Sequence, residues 1–126
     1  MPEKKHEITV TTQTQYVPEQ SDESANRYVF TYTITIRNSG SVPAQLISRH
    51  WIITDANRQV QEVRGLGVVG SQPLIKAGDS FEYTSGTAIA TPVGTMRGTY
   101  NMVAEDGQSF EAQIPEFTLS VPRVLH

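Results

Sequence analysis

The 126-residue chain contains no cysteine, so neither disulfides nor thiolate metal ligands enter the argument. That composition fits a reducing compartment. No apolar run approaches the ~20 residues that cross a bilayer as a helix. The opening residues Met1-Pro2-Glu3-Lys4-Lys5-His6-Glu7 are charged with no apolar stretch behind them, whereas a secretory signal needs about 7–15 apolar residues there. The cytoplasm is therefore the expected location, with no membrane partner. Net charge is −3, and both signs are scattered along the chain. Without a clustered basic face, nucleic acid is not an expected partner.

Catalytic constellations are missing too. There is no thiol nucleophile. Ser85-Gly86 lacks the strand–elbow–helix setting of a nucleophilic serine, and no pair of carboxylates is spaced to divide acid and base roles. The many threonines lie in alternating segments, where β propensity accounts for them. No enzyme is expected.

What is present is period-2 alternation. Ile8, Val10, Thr12, Thr14 and Tyr16 share one face of a first strand. After the polar, acidic loop Pro18–Asn26, Tyr28, Phe30, Tyr32, Ile34 and Ile36 share one face of a second. A third runs from Ala44 to Thr54, with Ile47, Trp51 and Ile53 on one face and Leu46 and Ile52 on the other. Val60 to Val63 begins a shorter strand, broken by the glycine-rich stretch Gly65-Leu66-Gly67-Val68-Val69-Gly70. Phe81 and Tyr83 mark another, and Met96, Gly98, Tyr100, Met102 and Ala104 alternate again. Glu105-Asp106-Gly107-Gln108 signals a hairpin of type I′, with Phe110, Ala112 and Ile114 returning. Pro115 then interrupts before a last strand at Phe117, Leu119 and Val121.

About eight short strands and no amphipathic helix predict an all-β fold: an antiparallel immunoglobulin/fibronectin type III-like β-sandwich. It spans residues 1–126 as one domain, with residues 1–6 flexible. Trp51 is the expected core residue between the sheets, and Tyr100 the candidate tyrosine corner.

Several segments, in order along essentially the whole chain, are similar to the ApaG family. They are Arg49-His50-Trp51-Ile52-Ile53-Thr54, Gly65 through Ile75, Phe81-Glu82-Tyr83-Thr84-Ser85-Gly86, Thr91-Pro92-Val93-Gly94-Thr95-Met96-Arg97-Gly98 and Ile114-Pro115-Glu116-Phe117. The resemblance implies a fibronectin type III-like sandwich, in agreement with the strand pattern. For function it implies no settled biochemical activity, and a link to cobalt and magnesium tolerance. It also implies a domain fused inside larger eukaryotic proteins, among them an F-box protein and a polymerase-interacting protein, as an interaction module.

Gly65-x-Gly67-x-x-Gly70 spells the dinucleotide fingerprint, but that chemistry needs a helix to follow, with its free N–H groups on the pyrophosphate. Val68 and Val69 followed by Ser71-Gln72-Pro73 do not start one. A weaker reading keeps the glycines as a backbone nest for an anion. The candidate anion-binding residues are then Arg64, Gly65, Gly67, Gly70 and Arg49, with Arg58 or Lys76 as further neighbours. The plain alternative is an irregular edge strand whose glycines serve backbone geometry. The three histidines, His6, His50 and His126, have no second ligand at a metal spacing. The acidic residues Asp22, Glu23, Asp55, Glu105 and Asp106 lie in predicted turns as solvated carboxylates. Neither a metal nor a cofactor is expected.

Two functions follow. The first is a non-catalytic protein-interaction module, using the edges and end loops that a sandwich leaves free, with a homodimer as one form of the interaction. The second is a binder of a phosphate-bearing small molecule at Gly65–Gly70.

Overall fold

The computed structural model describes residues 5–122. Its strands are β1 (Ile8–Tyr16), β2 (Tyr28–Asn38), β3 (Ala44–Asp55), β4 (Val60–Leu66), β5 (Leu74–Ile75), β6 (Ser80–Ile89), β7 (Val93–Ala104) and β8 (Ser109–Ser120), with two single-turn 3-10 helices at Pro18–Gln20 and Glu23–Ala25. All strand pairings are antiparallel. One sheet has the order β1-β2-β6 and the other β4-β3-β7-β8, with β5 continuing the β4 edge along the start of β3. The predicted antiparallel β-sandwich is what the chain forms.

Between the layers lies the core. Phe30, Ile34 and Ile36 from β2 face Leu46, Trp51, Met96, Tyr100, Met102 and Leu119. Trp51 is 2% exposed and takes the edge-on approach that ring quadrupoles favour. It meets Tyr32 at 5.4 Å, Phe117 at 5.9 Å and Tyr100 at 6.4 Å. The expected role of Trp51 holds.

Two β-bulges correct the strand reading. In β3 the register slips between Leu46 and Ser48. One extra residue reverses which parity points inward. Leu46 and Trp51 therefore share the core face, and Ile47 does not join them as the simple alternation predicts. In β8 the partner of Met96 is Phe117 but that of Gly98 is Ile114, so Pro115 and Glu116 bulge outward. Pro115 does not end the strand. An edge strand accommodates it at a bulge, where a missing N–H costs no ladder bond, and Ser109–Ser120 is continuous. The count of eight is restored by β5, which the pattern missed.

Turn chemistry also differs from expectation. The hairpin after β7 forms, but among Glu105, Asp106 and Gly107 only Gly107 has positive φ. Its N–H bonds the Ala104 carbonyl, and the Ala104 N–H bonds Gln108. This is a three-residue loop closed by a left-handed glycine, not a type I′ turn. Tyr100 makes no tyrosine corner: its hydroxyl meets that of Tyr83 across the sheets. Of the stretch expected to be flexible, residues 1–4 lie outside the described residues, while His6 stacks on Phe110 and bonds Asp106 Oδ2 at 2.9 Å.

Replacing Trp51 with alanine removes the one ring that touches three others. We expect a loss of about 3–5 kcal/mol, read as a lower urea midpoint; an unchanged midpoint would contradict the central role of this ring.

Candidate functional site

The sandwich closes on one side, where β1 lies against β8. On the other side β4 and β6 are the free margins of their sheets. The gap between them is where chemistry-bearing side chains reach the surface.

Arg49 stands in this gap because it lies two residues before Trp51 and so shares its inward face. Its cross-strand partner on β4 is Gly65. The guanidinium lies directly over that glycine: a Cβ there would sit 2.8 Å from Arg49 Nη1. Nη1 donates to the Leu66 carbonyl at 3.0 Å and to the Gly67 carbonyl at 2.9 Å. Arg49 thus holds the glycine-rich segment by its carbonyls.

Gly67, Val68 and Ser71 turn their N–H groups to the chain itself. Gly67 donates to Ile47 O at 2.8 Å, Val68 to Ser71 O at 2.8 Å and Ser71 to Val68 O at 2.9 Å. Val69 (φ 43°) and Gly70 (φ 78°) are both left-handed, which gives Val68–Ser71 the form of a type I′ turn. Val68 is 1% exposed and plugs the gap between the sheets. Gly67 has φ 63°, and a Cβ on it would collide with the Ser71 carbonyl oxygen. Each glycine of the Gly65-x-Gly67-x-x-Gly70 pattern thereby has a backbone reason, and the chain continues into β5, not into a helix.

The candidate residues do not all meet. Arg49 and Gly70 line one small cavity of about 260 Å³, together with Tyr32, Trp51, Val69, Tyr83 and Ser85. Arg64 pairs opposite His50 on the outer face of the sheet. There its Nη2 lies 3.6 Å from Glu62 Oε1, with 74% of its side chain exposed. Neither Arg58, in the turn after β3, nor Lys76, after β5, lines the cavity. A larger recess of about 610 Å³ follows on the same open side, walled by Ile53, Val60, Ala88 and Ile89 with Arg27 and Asp55 at its rim.

The tyrosine cluster around Arg49 was missed. Burial pushes the Tyr83 hydroxyl up to about 12 against the smaller opposing effect of the hydrogen bond with Tyr100. Tyr100 is raised as well, chiefly by burial. The nearby Arg49 charge pulls both the other way without prevailing. The available signal was the period of β3, which sets Arg49 on the Trp51 face. Its meeting with Tyr83, more than thirty residues on in the other sheet, had none.

On the outer face His50 Nε2 lies 2.8 Å from Glu62 Oε1, and this hydrogen bond is the first cause of a lowered Glu62 pKa. Asp22 is lowered by the Ser24 hydroxyl, and Asp106 by the Gln108 N–H and His6. Among the described residues no three His, Cys, Asp or Glu gather to hold a metal; His126 lies outside them. Nor is any helix among them long and apolar enough to cross a membrane.

This architecture defines a β-sandwich domain closed along one flank and open along the other. Residues 18–104 match the sequence model of the ApaG domain. The chain is 68% identical over 123 residues to Protein ApaG of Nitrosospira multiformis, covering 98% of this chain and 97% of that one. It is 67% identical to Protein ApaG of Thiobacillus denitrificans, with the same coverage. A crystal structure of a Bordetella pertussis protein named ApaA superposes with a TM-score of 0.94 at 60% identity, over 98% of this chain and all (100%) of that one. The chain belongs to the ApaG family.

Two substitutions in one loop should act in opposite directions. Gly67→Ala meets both the collision and the left-handed backbone, and should cost more than about 1 kcal/mol. Val69→Gly relieves a β-branched residue of its left-handed φ and should leave stability equal or raised. Urea midpoints rank the two, and the reverse order would contradict this turn geometry. The tyrosines give a second test. Because the pKa values of Tyr83 and Tyr100 are raised, their contribution to stability is whole below the ordinary value of about 10 and is lost as pH climbs toward the raised values. An ultraviolet titration should show both still protonated when exposed tyrosines have ionised. Complete ionisation of the folded chain near the ordinary value would refute their burial.

Proposed function

We propose that this domain is a non-catalytic binding module that engages a protein partner along β4, by accepting an extended strand onto its edge. The observation that carries the reading is the state of β4 itself. The Gly67 N–H bonds Ile47 and the Asp55 N–H bonds Gln59. Alternation along an antiparallel ladder then assigns the bonds to β3 to Gln61, Val63 and Gly65. The N–H and C=O groups of Val60, Glu62 and Arg64, and the N–H of Leu66, point outward from the sheet, while the Leu66 carbonyl is taken by Arg49 Nη1. Val60 is 58% exposed and Leu66 75%, which is apolar surface beside an unpaired backbone row.

Protection on this edge is slight. β4 contains neither lysine nor proline, and its two charges, Glu62 and Arg64, face each other. The β8 edge, by contrast, is bent by the Pro115 bulge. Strand addition takes its affinity from main-chain hydrogen bonds and its specificity from the side chains that flank them. The family resemblance, with the domain fused into otherwise different proteins, favours the same reading. A role in cobalt and magnesium tolerance then runs through the partner. The cytoplasm remains the location that the sequence favours, and a second copy of the chain is the simplest partner.

Glu62→Pro tests this. Residue 62 gives no N–H to β3, so proline there should spare the sheet while blocking an incoming strand. Affinity capture with both proteins should recover a stoichiometric partner with the wild type and lose it with the variant. Sedimentation velocity shows whether that partner is the chain itself. Equal capture by both, or no partner and no self-association for the wild type, would overturn the proposal.

A further inference from the structure

Arg49 is a cation without a counter-ion. It forms no ion pair among the described residues, and neither Asp nor Glu lines its cavity. Nη1 is committed to the Leu66 and Gly67 carbonyls, which fixes the guanidinium plane. The opposite edge, carrying Nε–H and one Nη2–H side by side, has no partner among the described residues. Two parallel donors on a planar fork match the two oxygens of a carboxylate.

The surrounding hydroxyls have the same surplus of donors. Tyr83 and Tyr100 share one hydrogen between two oxygens, so whichever hydroxyl accepts keeps a hydrogen with no acceptor among the described residues. Tyr32 and Ser85 also line the cavity, and no hydrogen bond from either side-chain hydroxyl to a described residue is present. A site with many donors, one uncompensated charge and no side-chain acid needs an acceptor from outside. Its volume of about 260 Å³ falls below the ~300–1,000 Å³ of pockets for larger ligands; it fits a short carboxylic acid better than a nucleotide. At its mouth Val69 holds a left-handed φ of 43°, a backbone strain of the kind that gathers at binding sites.

We infer that the Arg49 cavity is a carboxylate-binding site, with the Nε/Nη2 edge of Arg49 gripping both oxygens and the Tyr83 and Tyr32 hydroxyls completing their coordination. The carboxylate comes from a small free acid or from an acidic residue of a bound chain. The site adjoins the end of β4, with Leu66 in its lining, but none of its donors belongs to the β4 backbone, and it stands whether or not β4 takes a strand.

The test uses the full chain and its Arg49 Nε–H resonance, with acetate, succinate, inorganic phosphate and a short peptide ending in glutamate added at constant ionic strength. Acetate should move the signal saturably, and Tyr83→Phe should weaken that binding about tenfold while the chain stays folded. Arg49→Lys keeps the charge but lacks the paired edge; followed through the backbone amides of Val69 and Gly70, which line the cavity, it should bind more weakly still. If that variant fails to fold, Tyr83→Phe and Tyr32→Phe carry the test alone. Succinate outbinding the peptide would mark a free acid as the source, and the reverse a bound chain; both support a carboxylate site. A linear response no larger than that to chloride, or saturation by phosphate but not by acetate, overturns it.

Discussion

Three of the four ladders of the second sheet run along β3, and β3 works only because it is bulged. Without the slip between Leu46 and Ser48, either Leu46 or Trp51 would face solvent. With it, one strand supplies apolar groups to the core at both ends of an irregularity. Past the bulge, inward parity falls on Arg49, Trp51 and Ile53. Burial of the ring at Trp51 thereby obliges the guanidinium at Arg49 to enter the gap between the sheets. A charge placed there must be satisfied, because a polar group withdrawn from water without partners is costly. The Leu66 and Gly67 carbonyls meet half of that need, and they reach Arg49 only because Gly65 has no side chain. The pattern Gly65-x-Gly67-x-x-Gly70 is in this sense a consequence of how β3 is threaded through the core.

The same interaction explains the shape of the open flank. The glycine-rich segment is drawn inward by its carbonyls, which drops Val68 between the layers as a plug and bends Val69 and Gly70 into a tight turn. β4 ends within this segment, at Leu66, and β5 resumes the same edge after Pro73. The margin of the sheet is thus one exposed strand, an inward-pulled loop and a two-residue remnant.

Much of the architecture was legible in the sequence. Alternation located β1, β2, β3, β6 and β7, and the single tryptophan marked the centre of the core. What it did not show were the two places where a strand changes parity. A bulge at Ile47 leaves no local trace, since a run such as Leu46-Ile47-Ser48 satisfies either register. At Pro115 the trace was present but ambiguous, because proline ends a central strand and merely bends an edge one, and only the sheet order distinguishes them. Of the candidate site residues, Arg49 and Gly70 were brought to one cavity and Arg64 was turned to the other face. The rule of two places Arg64 beside Gly65 on opposite sides of the ribbon, but which side faces the core depends on pairing with β3. The partners of Arg49 in the other sheet follow from tertiary packing alone.

His6, just before β1, rests on Phe110 near the start of β8, so these two strands run side by side in the same direction along the closed flank. The Val121 N–H, just past the end of β8, bonds the Pro92 carbonyl at the far pole. His6 and Val121 therefore lie at opposite poles, both on the side away from β4. A partner approaching the unsealed flank would thus meet neither of these two ends on its way.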